Sequence, residues 1–279
     1  MTSGKLFLVA TPIGNLEDIT LRALRILQEV DIIFCEDTKT SVKLINHYQI
    51  KKPLQSYYKP KEREKLSLML SLLKEGKKLA LISDAGMPLI SDPGQLLVKS
   101  VREAGYEIEC VPGPSSVLMA IALSGLSTER FIFEGFLPKQ KGSLEKRLEE
   151  IKDLPHTTVF FVPARDIFKT LGTIKEIMGD RKLCIAKELT KFHEEVIVTT
   201  ISSFLEEKRV LKGEVTVVVE GAKEKKTTLD IEEIKELLLK EQKSGKTFKD
   251  VLKDGKLKMY PKNLVYDLWE EVKDGKGKD

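Results

Sequence analysis

Short, nearly unbroken apolar runs stand at positions 6–10, 31–35, 79–82 and 108–111 of the chain. Runs of this kind suit strands buried on both faces of a parallel sheet, where no face meets water. Between them the apolar positions recur at helical spacing. Leu21, Leu24, Ile26 and Leu27 form one set, Val42, Leu44 and Ile45 a second, positions 66–73 a third, and Leu97, Val98 and Val101 a fourth. Strands alternating with helices predict a parallel α/β sheet. An apolar helix over 117–124 leads out of it. Strands then follow at 131–136, 158–162, 183–186, 195–200 and 214–220, with helices in 138–152 and 171–177 and through Phe204-Leu205. Long and short connections in this second set predict a mixed sheet. The composition shifts after Gly221, to a polar linker and two or three short helices reaching Val272. The resulting division is an N-terminal α/β domain over 1–116, a second α/β domain over 117–222, and a small helical extension over 223–279 with a disordered tail from Lys273. Pro53 to Pro60 reads as loop.

The strands end in loops of small residues: Thr11-Pro12-Ile13-Gly14-Asn15, Ser83-Asp84-Ala85-Gly86-Met87-Pro88, Pro112-Gly113-Pro114-Ser115-Ser116 and Val162-Pro163-Ala164. The second continues through Asp92-Pro93-Gly94, so two prolines and two glycines stiffen it. In open α/β sheets ligands bind beyond the carboxyl ends of strands, where such loops lie. Apposed, the four would wall a cleft for a nucleoside-type ligand held by main-chain groups and hydroxyls. A tight strand-to-helix connection with no ligand is the alternative. Neither GxxxxGK[ST] nor a GxGxxG after the first strand occurs.

Charge adds a partner without fixing it. The chain has 279 residues, 32% of them charged, and a net charge of +4, which allows a nucleic-acid partner but does not demand one. Three cysteines, Cys35, Cys110 and Cys184, form no CxxC pair and read as buried free thiols of a reducing, cytoplasmic protein. The first apolar run is too short for a signal or membrane segment. No His/Cys/Asp spacing points to a metal, and no GxSxG to a serine nucleophile. Candidate acid–base groups stand at strand ends: Glu36 and Asp37, Asp84, and Lys187 with Glu188. Each also reads as a cap, a turn or an ion pair. His193 is a further candidate. For phosphate and base contacts the candidates include Arg22, Lys39, Lys43, Tyr57, Tyr58, Lys139, Lys141 and Arg147, against a solvated charged face as the plain alternative.

Taken in order, ATPIGNLEDITLRAL, EDT, SDAGMPLISDPG, PGPSS, FEGFLP and KELTKFHEE resemble the tetrapyrrole methylase superfamily. Within it they are similar to the branch that methylates the ribose 2′-oxygen of a cytidine in small-subunit ribosomal RNA. The resemblance covers residues 5 to about 221, with a looser likeness beyond. It implies two α/β domains with S-adenosylmethionine (SAM) in the cleft between them, a homodimer, and rRNA or the small ribosomal subunit as partner. Carried over by position, it implies cofactor contacts from Pro12, Ala85, Gly86, Met87, Ile90, Ser115, Ser116, Val162 and Pro163; from the cations read above, Lys39, Lys139, Lys141 and Arg147 are the expected RNA contacts. Proton removal from the ribose hydroxyl falls to Asp37, with Glu36 as orienter or second choice and Lys187 or Glu188 as candidates from the other domain. Two departures stand out. Met87 replaces the usual Thr, and Val162-Pro163-Ala164-Arg165-Asp166 replaces Glu-Ser-Pro-His-Arg, with Arg165 as a partial substitute for the basic group.

Overall fold

The computed structural model describes residues 4–223, 230–253, 257–258, 260–273 and 275, with the backbone alone at 61 and 253. The chain divides into two compact units, Met1–Ala222 and Lys223–Asp279.

The first unit begins with β1 (Lys5–Val9), α1 (Leu21–Glu29), β2 (Ile32–Cys35), α2 (Thr38–His47), β3 (Leu54–Ser56), α3 (Glu62–Lys74), β4 (Lys78–Ile82), α4 (Gln95–Glu103) and β5 (Glu107–Val111). The five strands make one sheet in the order β3-β2-β4-β1-β5, and every pair is parallel. Successive side chains of a strand face opposite ways. Phe7, Val9, Ile33, Ala80 and Ile82 therefore pack under α1 and α2, and Leu6, Leu8, Phe34, Leu79 and Leu81 under α3 and α4. Each fully buried aliphatic side chain stabilises by about 1.5–3 kcal/mol relative to exposure. This is why both parities of each run are apolar.

The same unit continues through α5 (Ser116–Ser124), β6 (Phe131–Phe136), α6 (Lys141–Ile151), β7 (Thr157–Phe161), α7 (Ile167–Met178), β8 (Lys182–Lys187), β9 (Glu195–Thr200), α8 (Ile201–Glu207) and β10 (Val215–Val219). The second sheet runs β6-β7-β10-β8-β9, with only β6 and β7 parallel. One face packs on α6, α7 and α8 through Phe160, Ile185, Val217 and Phe204. The other packs on α5 through Val117, Ala120 and Ile121, joined by Ile13 from the loop after β1. The helix α5 is apolar almost all round, with Leu118 and Leu123 exposed on the side away from the sheet. The second unit holds α9 (Ile231–Lys243), α10 (Phe248–Lys253) and α11 (Lys262–Lys273) around Ile234, Leu238, Val265 and Trp269. Asp230 and Glu233 close a capping box on α9.

Four expectations need correction or comment. Residues 54–56 are a strand, not loop: Ile33, Phe34 and Cys35 pair with Leu54, Gln55 and Ser56 at the sheet edge. Tyr57, a candidate for stacking on a base, is fully buried, and its hydroxyl donates to Glu62 at 2.9 Å. Cys110 is exposed while Cys35 and Cys184 are buried, because β5 is an edge strand. Lys273 ends α11, and the rest of the expected disordered tail, apart from Gly275, lies outside the described residues, as do positions 224–229 of the linker.

Candidate active site

The loops that follow β1, β4 and β5 converge beyond the carboxyl ends of the first sheet, and the second sheet faces them. An isolated antiparallel bridge ties two of the loops together. The Thr11 N–H donates to the Gly86 carbonyl at 2.9 Å and the Gly86 N–H to the Thr11 carbonyl at 3.0 Å. The Thr11 hydroxyl adds a bond to the Ser83 carbonyl at 3.0 Å. Gly86 has a φ of +79°, and Leu89 and Ser91 have φ of +74° and +71° although neither is glycine. Left-handed backbone costs an L-residue about 1–2 kcal/mol. Two such residues in one loop mark a conformation imposed by its surroundings. Across the cleft Glu188 and Thr190 are also left-handed, at +49° and +65°. There the Asn15 N–H donates to the Thr190 hydroxyl at 2.9 Å, and a Cβ on Gly14 would come within 2.8 Å of the Leu189 carbonyl oxygen.

Between these walls lies a cavity of about 290 Å³, at the lower end of the usual range for small-molecule sites. Ala85, Gly86, Met87 and Ile90 line it from the loop after β4, Ser115 and Ser116 from the start of α5, and Val162 from the end of β7. Those are seven of the nine positions expected to touch a cofactor. Pro12 lines a neighbouring hollow of about 180 Å³ instead, and Pro163 lines a second large cavity on the other side of Val162. Gly86 spends its own N–H and C=O on Thr11, so its main chain is committed to the loop. The Ser115 side chain caps α5 by accepting from the Leu118 N–H at 3.4 Å. The N–H groups of Ser116 and Val117, ahead of Leu118 in that first turn, have no carbonyl partner within the helix and suit a carboxylate or hydroxyl.

All charged residues lining this cavity are acidic: Asp84, Asp92 and Glu214. Asp92 is pushed up to about 6, first by burial and then by the nearby Glu36 charge, with Ser83 acting the other way. Burial raises Asp84 and Glu36 as well, and Glu36 is raised further by Asp84 and Asp37. Asp84 accepts from the Asp37 N–H at 3.2 Å, so it closes no turn of its own. Asp92 follows Ser91, whose hydroxyl abuts the β6 backbone: a Cβ on Gly135 would lie 3.0 Å from Ser91 Oγ. Gly135 precedes Phe136, which lines both large cavities together with Phe161 and Val162. Ser91 thus ties the loop to the wall that the two cavities share, while the carboxyl of Asp92 stands near Ser83, Glu36 and Asp84. Its S-D-P-G setting is visible in the sequence, but nothing there shows that the loop folds back onto β6. Among the described residues, no group of three His, Cys, Asp or Glu is arranged to hold a metal.

The remaining candidates lie outside the cavity lining. Asp37 is exposed and caps α2, accepting from the Lys39 N–H at 2.8 Å. Lys187 pairs with Glu195 at 3.2 Å. Glu188 accepts from the Glu214 N–H at 2.8 Å and pairs with Lys191 at 3.0 Å, which holds its carboxyl below the usual range. His193 is exposed, with its ring against Phe192. Among the cations, Lys39 and Lys139 are exposed and Lys141 pairs with Glu145. Arg147 is committed elsewhere: Nε and Nη2 donate to both oxygens of Glu134 at 2.7 and 2.8 Å, and Nη1 donates to Glu150 at 2.7 Å. The Glu134 side chain is only 6% exposed. It sits where the β6–β7 register shifts between Phe133 and Gly135, so Arg147 locks this bulge to α6.

Comparison with known proteins agrees with this geometry. Residues 5–205 match the Tetrapyrrole (Corrin/Porphyrin) Methylases. Ribosomal RNA small subunit methyltransferase I of Thermotoga maritima is 48% identical over 221 residues, which are 78% of this chain and 99% of that protein. The proteins of the same name from Rickettsia prowazekii and Bacillus subtilis are 41% and 38% identical, covering 96% and 95% of this chain and 97% and 94% of theirs. Among solved structures, diphthine synthase superposes with a TM-score of 0.61 at 15% identity over 83% of this chain and 93% of its own. Uroporphyrin-III C-methyl transferase from Thermus thermophilus, complexed with S-adenosyl homocysteine, gives 0.58 at 19% over 78% and 97%. The chain belongs to the tetrapyrrole methylase family and, within it, to the ribosomal RNA small subunit methyltransferase I branch.

Proposed function

We propose that this protein is a SAM-dependent methyltransferase acting on small-subunit rRNA, and that the methyl acceptor is the ribose 2′-oxygen of a cytidine. The observation that carries the cofactor half is the cleft, apolar in most of its lining with carboxylates as its only charges. Such a site favours a cation that also has a flat apolar part. SAM has both, with a positive sulfur, an ammonium group and an adenine. Met87, Ile13, Phe136 and Phe161 supply apolar wall for the adenine, Asp84 and Asp92 face the positive charges, and the first turn of α5 offers N–H groups to the carboxylate. A superposable methyltransferase is complexed with S-adenosyl homocysteine, the product left by such a cofactor. The rRNA half is supported by the name shared by relatives that match over nearly their whole length.

When bound, SAM supplies a methyl group on a sulfur that departs as a neutral thioether. The acceptor oxygen forms the new C–O bond as the C–S bond breaks, and its proton must leave. The carboxylate best suited to take that proton is Asp92. It lines the cleft, and its value of about 6 keeps it ionised at neutral pH while basic enough to accept. Asp84 and Glu36 provide the neighbouring charge. The rigid loop walls fix oxygen and methyl carbon in line, which supplies much of the rate. The reading is tested by incubating the protein with methyl-labelled SAM and small-subunit rRNA and mapping the label. A cytidine 2′-O-methyl is expected; label on a base, or no transfer, would sink the proposal.

A further inference from the structure

Across Phe136, Phe161 and Val162 from the cofactor cleft lies the second cavity, of about 510 Å³. Its charge is reversed. Lys139, Arg165 and Lys169 line it, against the single carboxylate of Asp166. The three cations come from separate places: the β6–α6 connection, the turn after β7, and the first turn of α7. Lys139 and Lys169 are exposed and have no ion-pair partner among the described residues. Arg165 is 79% exposed, and its Nε lies 3.6 Å from Asp166, its chain neighbour. So exposed a pair adds little and yields readily to a competing anion. The cavity also carries an aromatic platform. Phe136 is 63% exposed, and its ring is braced by Phe161 at 5.3 Å between centroids.

Converging cations beside an exposed aromatic ring suit single-stranded nucleic acid, whose phosphates meet the charges while a base stacks on the ring. We infer that this cavity binds the RNA strand at the methylated nucleotide. Lys139, Arg165 and Lys169 engage its phosphodiester backbone, and Phe136 stacks a base, which brings the ribose to the Phe136–Phe161–Val162 wall. The inference rests on the methyltransferase reading and adds to it where the substrate lies. It also gives Arg165, in the turn after β7, a part in binding substrate.

The test uses the full chain, a fluorescent single-stranded transcript from small-subunit rRNA, and the double variant Arg165→Glu/Lys169→Glu. Both side chains point into solvent, so the fold should survive. The RNA Kd is expected to rise by about tenfold or more at low salt. The slope of log affinity against log salt should flatten by about 0.7 for each phosphate that the variant no longer neutralises. SAM affinity by calorimetry should not move, and Arg165→Lys should retain most of the slope, since a point charge suffices for a phosphate. Wild-type RNA affinity and slope in the double variant would overturn the inference while leaving the methyltransferase reading intact, and so would a parallel loss of SAM affinity. A wild-type protein that binds neither SAM nor RNA would overturn the reading, and the inference with it.

Discussion

The two cavities that meet at Phe136, Phe161 and Val162 share that wall yet differ in sign. The cofactor cleft has Asp84, Asp92 and Glu214 and no lining cation; its neighbour has Lys139, Arg165 and Lys169 against one carboxylate. The difference teaches how one enzyme can hold a small cation and a polyanion side by side. Carboxylates in the cleft attract a sulfonium and repel RNA phosphate. The cations next door do the reverse. The apolar wall lets a ribose approach the cofactor without leading its phosphates in after it. On this account charge sorts the ligands, and the strained loop after β4 holds two of the sorting groups, Asp84 and Asp92, in place.

The strongest way to break the comparison is at the acidic side. Asp92→Asn is expected to lower turnover by about 10²–10⁴-fold, the usual worth of a positioned base, while RNA affinity stays put. The sign with pH follows from its value of about 6. A base works ionised, so wild-type turnover should fall as pH drops through about 6, and that limb should vanish in the variant. Fold stability should move the opposite way. The folded chain holds the Asp92 proton more tightly than the unfolded chain, so this group's contribution is lost as pH rises from about 4 to about 6. Asp37→Asn provides the contrast. Asn caps a helix nearly as well as Asp, and Asp37 does not line the cleft, so turnover near wild type is expected. A large loss there with none in Asp92→Asn would return the base to the end of β2.

Gly86→Val attacks the cofactor side alone. With φ at +79° and both main-chain groups held by Thr11, any side chain strains the backbone by about 1–2 kcal/mol. A Cβ would also meet Ile13 Cγ2 at 3.3 Å. Thermal melting should show a lowered Tm and calorimetry no SAM binding. Arg147→Ala probes the anchor behind the basic side. It leaves the buried Glu134 without its bidentate partner and should cost about 2 kcal/mol in denaturant unfolding, with only a secondary loss of RNA affinity. Phe136→Ala touches the shared wall and should weaken both ligands, RNA by about 1–3 kcal/mol for the missing stacking and SAM by less. A loss confined to one ligand would show that the wall belongs to one cavity only.

How much of this is legible in the sequence differs from loop to loop. The first sheet can be read from its runs because strands covered on both faces are apolar at every position, and the alternation with helices implies their parallel sense. The edge strand at Leu54-Gln55-Ser56 cannot, since a three-residue half-covered strand leaves no periodicity. Seven of the positions expected to touch a cofactor line one cavity because loops at the carboxyl ends of parallel strands lie at one edge of the sheet. Asp92 is harder to see. Its raised value comes first from burial and then from Glu36 and Asp84, distant in sequence and joined only by folding. Arg147 reads as a free surface cation for the same reason, as its partner Glu134 is turned toward it by an irregularity in β6. Of the cations at the second cavity, the sequence singles out Lys139 as an RNA contact, Arg165 only as a substitute for a missing motif, and Lys169 not at all.

The most direct measurement sets the two cavities against each other in one experiment. SAM affinity by calorimetry and RNA affinity by anisotropy would be taken on the same preparations of wild type, Asp84→Asn/Asp92→Asn and Arg165→Glu/Lys169→Glu. The account predicts a crossed result: the acidic-side variant loses SAM affinity and keeps RNA, and the basic-side variant loses RNA and keeps SAM. Parallel losses in both variants, or none in either, would contradict the division of labour between the two cavities.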